Sequence, residues 1–253
     1  MNDPTQRFSS RVENYIKYRP SYPPEVMTLL TDMCGLTRET LVADIGAGTG
    51  MLTEQFLKRG NIVYAIEPNE AMRSAARILL HGYPRFQGRA GRAGATTLPS
   101  QSVDLVTVAQ AFHWFDRERA RREFIRILKP GGWVALMWND RRTTTTPFLV
   151  AYEEFLRTHV TDYTSVDHKK MNAESVRDFF GAREVGCQSF DNQQVFDLAG
   201  LRGRALSSSY VPEEKDPRCK LMLAQLDQLF AAHAVAGRVT FEYDTTVYYG
   251  QLS

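Results

Sequence analysis

A chain of 253 residues, 43% apolar and 24% charged, has an ordinary globular composition and is long enough to bury the core of one large α/β domain or of two small ones. Its 31 basic and 29 acidic side chains nearly cancel, to a net charge of +2, which argues against a nucleic-acid or membrane-surface protein. Three widely spaced cysteines, Cys34, Cys187 and Cys219, with no C-x-x-C pair and no metal-ligand spacing, predict reduced structural thiols; with no apolar signal core after Met1 and no run of the ~18 apolar residues a membrane helix needs, the expected setting is cytoplasmic.

Phe8, Val12, Tyr15, Ile16, Tyr18 and Arg19 sit near helical spacing, and Pro20-Ser21-Tyr22-Pro23-Pro24 stops that helix. Residues 25–35 read as a second helix closed by Gly35. The apolar run from Leu41 to Ile45 reads as a buried strand; Gly46, Gly48 and Gly50 follow, then helical spacing from Met51 to Leu57. A second strand covers Ile62 to Glu67, and Pro68-Asn69-Glu70 opens a helix through Leu80 with Asn69 as its cap. A short third strand near Arg85 to Gln87 leads into a glycine- and arginine-rich loop ending at Pro99. Ser102 to Ala109 is a fourth strand, followed by Gln110-Ala111-Phe112-His113-Trp114-Phe115 and a charged helix over about 117–128. Lys129-Pro130-Gly131-Gly132 turns the chain into a fifth strand, Trp133 to Trp138. Beyond a polar loop from Asn139 with four threonines, helices are predicted at 147–159 and 173–180, a sixth strand within 184–196, then a helix, Ser207 to Pro212, an amphipathic helix at 217–234 ended by Gly237, and a last strand from Arg238 to Tyr249. The basic clusters Arg85, Arg89, Arg92 and Arg117, Arg119, Arg121, Arg122 read as solvated faces.

Strand, glycine turn and helix form the first βα unit of a doubly wound sheet. The next strand ends on Glu67, about 20 residues on, where such folds hold a carboxylate for ribose hydroxyls. The glycine spacing decides between nucleotides. A dinucleotide site needs G-x-G-x-x-G/A, whereas here the third glycine comes one position early and Met51 occupies the small site, so the ligand lacks a pyrophosphate.

The stretch Asp44-Ile45-Gly46-Ala47-Gly48-Thr49-Gly50 resembles motif I of the class I S-adenosylmethionine-dependent methyltransferases. Leu128-Lys129-Pro130-Gly131-Gly132 is similar to a stretch that recurs in them, and Tyr15-x-x-Tyr18-Arg19-Pro20-x-Tyr22-Pro23 resembles the start of the small-molecule type-11 group, which includes enzymes likened to trans-aconitate methyltransferases. The resemblance covers about residues 8–139. It implies a Rossmann-like α/β fold: a doubly wound seven-stranded sheet, mostly parallel with one antiparallel strand, helices on both faces and a helical lid. It also implies one domain over 1–253, with a cofactor core at 36–139 and substrate-side elements at 1–24, 140–182 and 197–236.

The implied cofactor is S-adenosyl-L-methionine, with S-adenosyl-L-homocysteine as product. In its cradle the resemblance implies Asp44 fixing the loop or a nearby ligand group, Gly46, Ala47, Gly48, Thr49 and Gly50 around the methionine moiety, Glu67 at the ribose with Pro68 beside it among the cofactor-binding residues, and Met72 on the adenine, a residue that also reads as core. Gly91 to Pro99 resembles the family stretch G-x-A-E-x-x-x-L-P, which brings Ala93 and Gly94 to the adenine edge; Gly94 replaces the acidic residue there, so backbone contacts remain and the side-chain contact is lost. Gln110 and Ala111 are expected along the sulfonium, and Arg19 at the methionine carboxylate, which a guanidinium grips bidentately.

A sulfonium is a built-in electrophile, so methyl transfer needs alignment and a dry site more than a catalytic triad. No G-x-S-x-G, Walker loop or H-E-x-x-H occurs, and no metal is expected. For a hydroxyl acceptor His113 is the candidate base, with an ordinary pKa of about 6.5; the same residue also reads as structural or as an adenine-edge contact. Tyr18, Trp114, Trp138, Asn139 and Tyr210 are candidate substrate walls, each of which also reads as core. The expected activity is methyl transfer to a small-molecule acceptor, O-directed, by a monomer or homodimer without nucleic-acid or membrane partners. Two other readings stay open: a non-catalytic cofactor-binding protein, suggested by Gly94, and an NAD-dependent dehydrogenase, disfavoured by Met51. The absence of an Asn-Pro-Pro-Tyr-type motif after the fourth strand argues against base N-methylation.

Overall fold

A computed structural model describes residues 12–160, 163, 173–181, 184–208, 211–212 and 216–252. The strands are β1 (Leu41–Ile45), β2 (Ile62–Ile66), β3 (Phe86–Arg89), β4 (Val103–Ala109), β5 (Leu128–Arg141), β6 (Val185–Phe196) and β7 (Val239–Gly250). They form one seven-stranded sheet in the order β3-β2-β1-β4-β5-β7-β6. β1, β2 and β4 are nearly continuous apolar runs because parallel strands are covered on both faces. β7 alternates buried and half-buried residues and runs antiparallel to both β5 and β6, which is the single antiparallel strand expected. β1 lies between β2 and β4, so the strand order reverses there and a crevice opens at their carboxyl ends.

The helices are α1 (Val12–Tyr18), α2 (Glu25–Cys34), α3 (Met51–Lys58), α4 (Glu70–Leu79), α5 (Arg117–Ile127), α6 (Pro147–His159), α7 (Ala173–Phe180), α8 (Leu198–Leu206) and α9 (Pro217–His233). α2 and α3 cover one face, with Val26, Leu30, Leu52 and Phe56 packed against Val42, Val63 and Leu105. α5 and α7 cover the other, with Phe124, Ile127, Val176 and Phe180 packed against Val106, Val108 and Leu136. Local sequence sets the helix ends. The Asn69 and Asp116 side chains accept from Met72 N and Arg119 N, and Gly35 ends α2 in the left-handed conformation.

The chain beyond β5 builds a second apolar cluster on the extended part of β7. Phe148, Tyr152 and Leu156 of α6, Leu201 of α8 and Leu226 of α9 gather around Phe241 and Tyr243. Phe241 meets Tyr152, Phe148 and Phe196 edge-on, with ring centres 4.8, 5.2 and 5.8 Å away. Arg141 at the end of β5 pairs with Glu153 of α6 at 2.6 Å, and Tyr163 Oη donates to the same carboxylate at 2.6 Å. α1 seats on α8, where Tyr18 fills the space over Gly203; a Cβ there would lie 2.0 Å from its ring.

Three expectations shift. Lys129 to Gly132 is a bulge within β5 rather than a turn before it: β4 advances from Val103 to Leu105 while β5 advances from Leu128 to Trp133. α9 stops at His233, and Gly237, at φ 71°, belongs to the turn before β7. Tyr210 lies outside the described residues. No helix among the described residues is long and apolar enough to cross a membrane.

Since Phe241 is fully buried at the centre of the second cluster, Phe241→Ala should lower unfolding stability by about 3–5 kcal/mol in urea denaturation. A loss under about 1 kcal/mol would show that this cluster does not anchor the helices beyond β5.

Candidate functional site

The crevice is built on two buried carboxylates. Asp44, 1% exposed in β1, accepts from Thr53 Oγ1 of α3 at 2.6 Å and from Thr107 Oγ1 of β4 at 3.2 Å. It therefore joins the three elements that frame the glycine turn. Burial raises its pKa to about 6, against the pull of the two hydroxyls. The turn itself hangs on β2, because Gly46 N and Ala47 N both donate to Ile66 O, at 2.8 and 3.2 Å. Gly50 has φ 88°, a conformation that costs residues with a Cβ, and a Cβ there would lie 2.5 Å from Leu80 Cδ1 of the chain following α4.

Glu67, at the end of β2, is the second carboxylate. Oε2 accepts from Gly48 N at 2.9 Å and Oε1 from Asn69 N at 2.8 Å. One side chain thus clamps the glycine turn to the start of α4. Burial raises its pKa, while the Asn69 and Gly48 amides and then Arg73 hold it down. Arg73 also anchors the segment by donating to Glu67 O at 2.8 Å.

These parts open on a cavity of about 450 Å³. Tyr15, Gly46, Gly48, Glu67, Pro68, Met72, Ala93, Gly94, Ala111, Trp114, Asp116 and Arg119 are among its lining residues. Gln110 lines it from the end of β4 in the left-handed region at φ 55°, which costs a non-glycine residue roughly 1–2 kcal/mol. It is held there by Gln110 N donating to Met137 O and Gln110 Nε2 donating to Asn139 O, both at 2.9 Å.

Of the residues singled out from sequence, Gly46, Gly48, Glu67, Pro68, Met72, Ala93, Gly94, Gln110, Ala111 and Trp114 come together here. Others support the cavity without lining it. Asp44 is sealed by its hydroxyl partners, Ala47 and buried Thr49 complete the turn, and Gly50 faces Leu80. Arg19 Nη2 donates to Ser207 O at 2.9 Å, and its guanidinium lies 5.3 Å from the centre of the Tyr15 ring. His113 packs on Trp114, with ring centres 4.7 Å apart, and is not among the lining residues. Trp138 is core, edge-on to Phe112. Asn139 is a buttress: Nδ2 donates to Pro20 O and Ser21 O, and Oδ1 accepts from Thr245. Tyr18 belongs to the α1–α8 contact.

Tyr15, Phe115, Asp116 and Arg119 line the cavity beyond the set chosen from sequence. For Asp116 a signal was present, an aspartate one residue before a charged helix. Burial raises the Tyr15 pKa, and Arg19 opposes that shift. The groups are suited to holding a polar, partly apolar molecule: two carboxylates and backbone amides set among small and aromatic walls.

Residues 43–136 match the family described as a methyltransferase domain. An uncharacterised methyltransferase of Mycobacterium tuberculosis is 41% identical over 139 residues, 55% of this chain and 54% of that protein. A Schizosaccharomyces pombe methyltransferase, also uncharacterised, is 35% identical over 135 residues, 53% of each. The chain thus spans about half the length of the curated relatives it matches. A solved structure from Anaeromyxobacter dehalogenans, described as a type II methyltransferase, superposes with a TM-score of 0.66 at 23% identity, over 92% of this chain and 98% of that one, and shows the fold.

Two outcomes test the frame. Gly50→Ala should cost about 1–3 kcal/mol of unfolding stability, from strain plus the Leu80 collision; a neutral substitution would contradict the packing assigned to Gly50. Asp44 has a folded pKa raised to about 6 from 3.8. The native state therefore binds that proton more tightly, and the stability it contributes is full below pH ~4 and lost as pH rises through ~6. Relative to Asp44→Asn, the wild type should lose about 3 kcal/mol between roughly pH 3 and pH 7 in chemical denaturation. A pH-independent difference would exclude a raised Asp44 pKa.

Proposed function

We propose that this chain, whose residues 43–136 match the family described as a methyltransferase domain, transfers a methyl group from S-adenosylmethionine to a small-molecule acceptor. Glu67 is the observation that carries this reading: each of its oxygens accepts one backbone amide and retains lone-pair capacity toward the cavity, which suits two ribose hydroxyls. Gly46 and Gly48 present backbone to the methionine moiety without a Cβ in the way. Met72 and Ala93 supply apolar walls for the adenine. Arg19, already over the Tyr15 ring, reaches the methionine carboxylate by releasing the Ser207 carbonyl.

When bound, the cofactor supplies an activated methyl group, so the share left to the protein is alignment and exclusion of water. Gln110 and Ala111 hold the edge of the reaction chamber, and Tyr15, Trp114 and Phe115 wall it. Among the described lining residues the ionisable groups are Tyr15, Glu67, Arg92, Asp116 and Arg119, and none of them is a histidine. That favours an acceptor oxygen that is already ionised, such as a carboxylate, over a neutral hydroxyl. The substrate-side helices α6, α8 and α9 and the α1 arm act in this reading as the lid.

Incubation with methyl-labelled S-adenosylmethionine and fractionated small metabolites should label an acceptor, and the label should be released by alkali as expected of a methyl ester. Alkali-stable label would overturn the carboxylate assignment. Glu67→Gln keeps one acceptor oxygen and should weaken S-adenosylhomocysteine binding about 10–100-fold by calorimetry. Wild-type-like binding by both Glu67→Gln and Gly48→Arg would overturn the cofactor site.

A further inference from the structure

The surroundings of Gly94 differ from what motif reading suggests. A Cβ on Gly94 would lie 2.9 Å from Arg119 Cβ and 3.5 Å from Arg119 C. The first turn of α5 therefore occupies the space that a side chain at position 94 would need, and the loop after β3 cannot project an acid there without moving that helix. α5 instead brings its own carboxylate. Asp116 lines the cavity together with Arg119, Gly94, Ala93 and Met72.

The two oxygens of Asp116 have separate tasks. Oδ1 caps α5 by accepting from Arg119 N at 3.0 Å. Oδ2 faces Arg119 Nε at 3.4 Å, in a pair whose side chains are 73% and 58% exposed. A pair that long and that wet holds its partner weakly, so Oδ2 remains available to a donor entering the cavity. Among the described lining residues Glu67 and Asp116 are the carboxylates, and Glu67 already serves the loop amides and, in the proposed function, the ribose hydroxyls.

We propose that Asp116 Oδ2 accepts from the exocyclic amino group of the cofactor's adenine, so that the base is read from the N-cap of α5, with Arg119 as the residue that orients the carboxylate. This assignment rests on the methyltransferase reading above and adds a specificity residue to it. An amino group at the purine 6-position donates to a carboxylate; a 6-oxo group presents a lone pair and is repelled by it.

The test compares calorimetric binding of S-adenosylhomocysteine and S-inosylhomocysteine, which differ at that position. Serine and asparagine are both good N-caps, so Asp116→Ser and Asp116→Asn should keep α5 and the melting temperature. Wild type should favour the adenosyl compound by about 10–100-fold, as expected for a lost bond to a charged group. Asp116→Ser should lose most of that preference. Asp116→Asn, with its oxygen retained at the cap and its amide NH₂ turned to the base, should shift preference toward the inosyl compound. Unchanged selectivity in both variants, with tight wild-type binding of S-adenosylhomocysteine, overturns the Asp116 assignment alone. Failure of the wild type to bind either compound overturns the cofactor reading and this assignment with it.

Discussion

The cavity depends on the Glu67 carboxylate standing between two backbone amides. Gly48 belongs to the turn after β1 and Asn69 to the cap of α4, and this one side chain bridges the two loops. A carboxylate can do so because it accepts from several directions at once. Both bonds are charge-assisted and largely sheltered from water, which makes them stronger than ordinary neutral bonds. Asn69 and Arg73 then fix the Glu67 segment from below, through the cap on Met72 N and the bond to Glu67 O.

Asp44 shows the other use of a buried carboxylate. Its partners are the hydroxyls of Thr53 and Thr107. Burial therefore outweighs the hydrogen bonds and its pKa rises to about 6. Asp44 orders the elements under the turn, whereas Glu67 orders the loops and faces the cavity. The left-handed Gln110 is consistent with this division: its strain is carried where the chain must turn at the end of β4, and β5 stabilises it through Met137 O and Asn139 O.

The second apolar cluster sets where the helices beyond β5 stand. β7 runs past the parallel strands, so Phe241 and Tyr243 extend beyond the core and give α6, α8 and α9 a surface to pack on. α1 then rests between that cluster and the core, with Tyr18 on Gly203 and Tyr15 over the cavity. Asn139, Ser21 and Asn192 join the end of β5, the chain before α2 and the edge strand β6 by hydrogen bonds. A movement of the α1 arm is in this way coupled to both clusters.

Local chemistry determined much of this protein by itself. Apolar runs gave the strands, Asn69 and Gly35 gave helix ends, and the Asp44 to Gly50 spacing with Glu67 marked the glycine turn beside the cavity, because period, capping and glycine turns act over a few residues. The helices at 147–159 and 173–180 were legible for the same reason. Only the tertiary structure decided which side chains face the cavity. Gly50 and Ala47 share a motif with Gly46 and Gly48 but serve the turn and its packing; Trp138 and Asn139 lie at a strand end yet support the wall from behind; His113 turns onto Trp114. Conversely, Asp116 and Arg119 reach the cavity because α5 packs within 2.9 Å of where a Gly94 side chain would stand. Such choices depend on contacts between segments far apart in the chain, which a pattern of neighbouring residues does not encode.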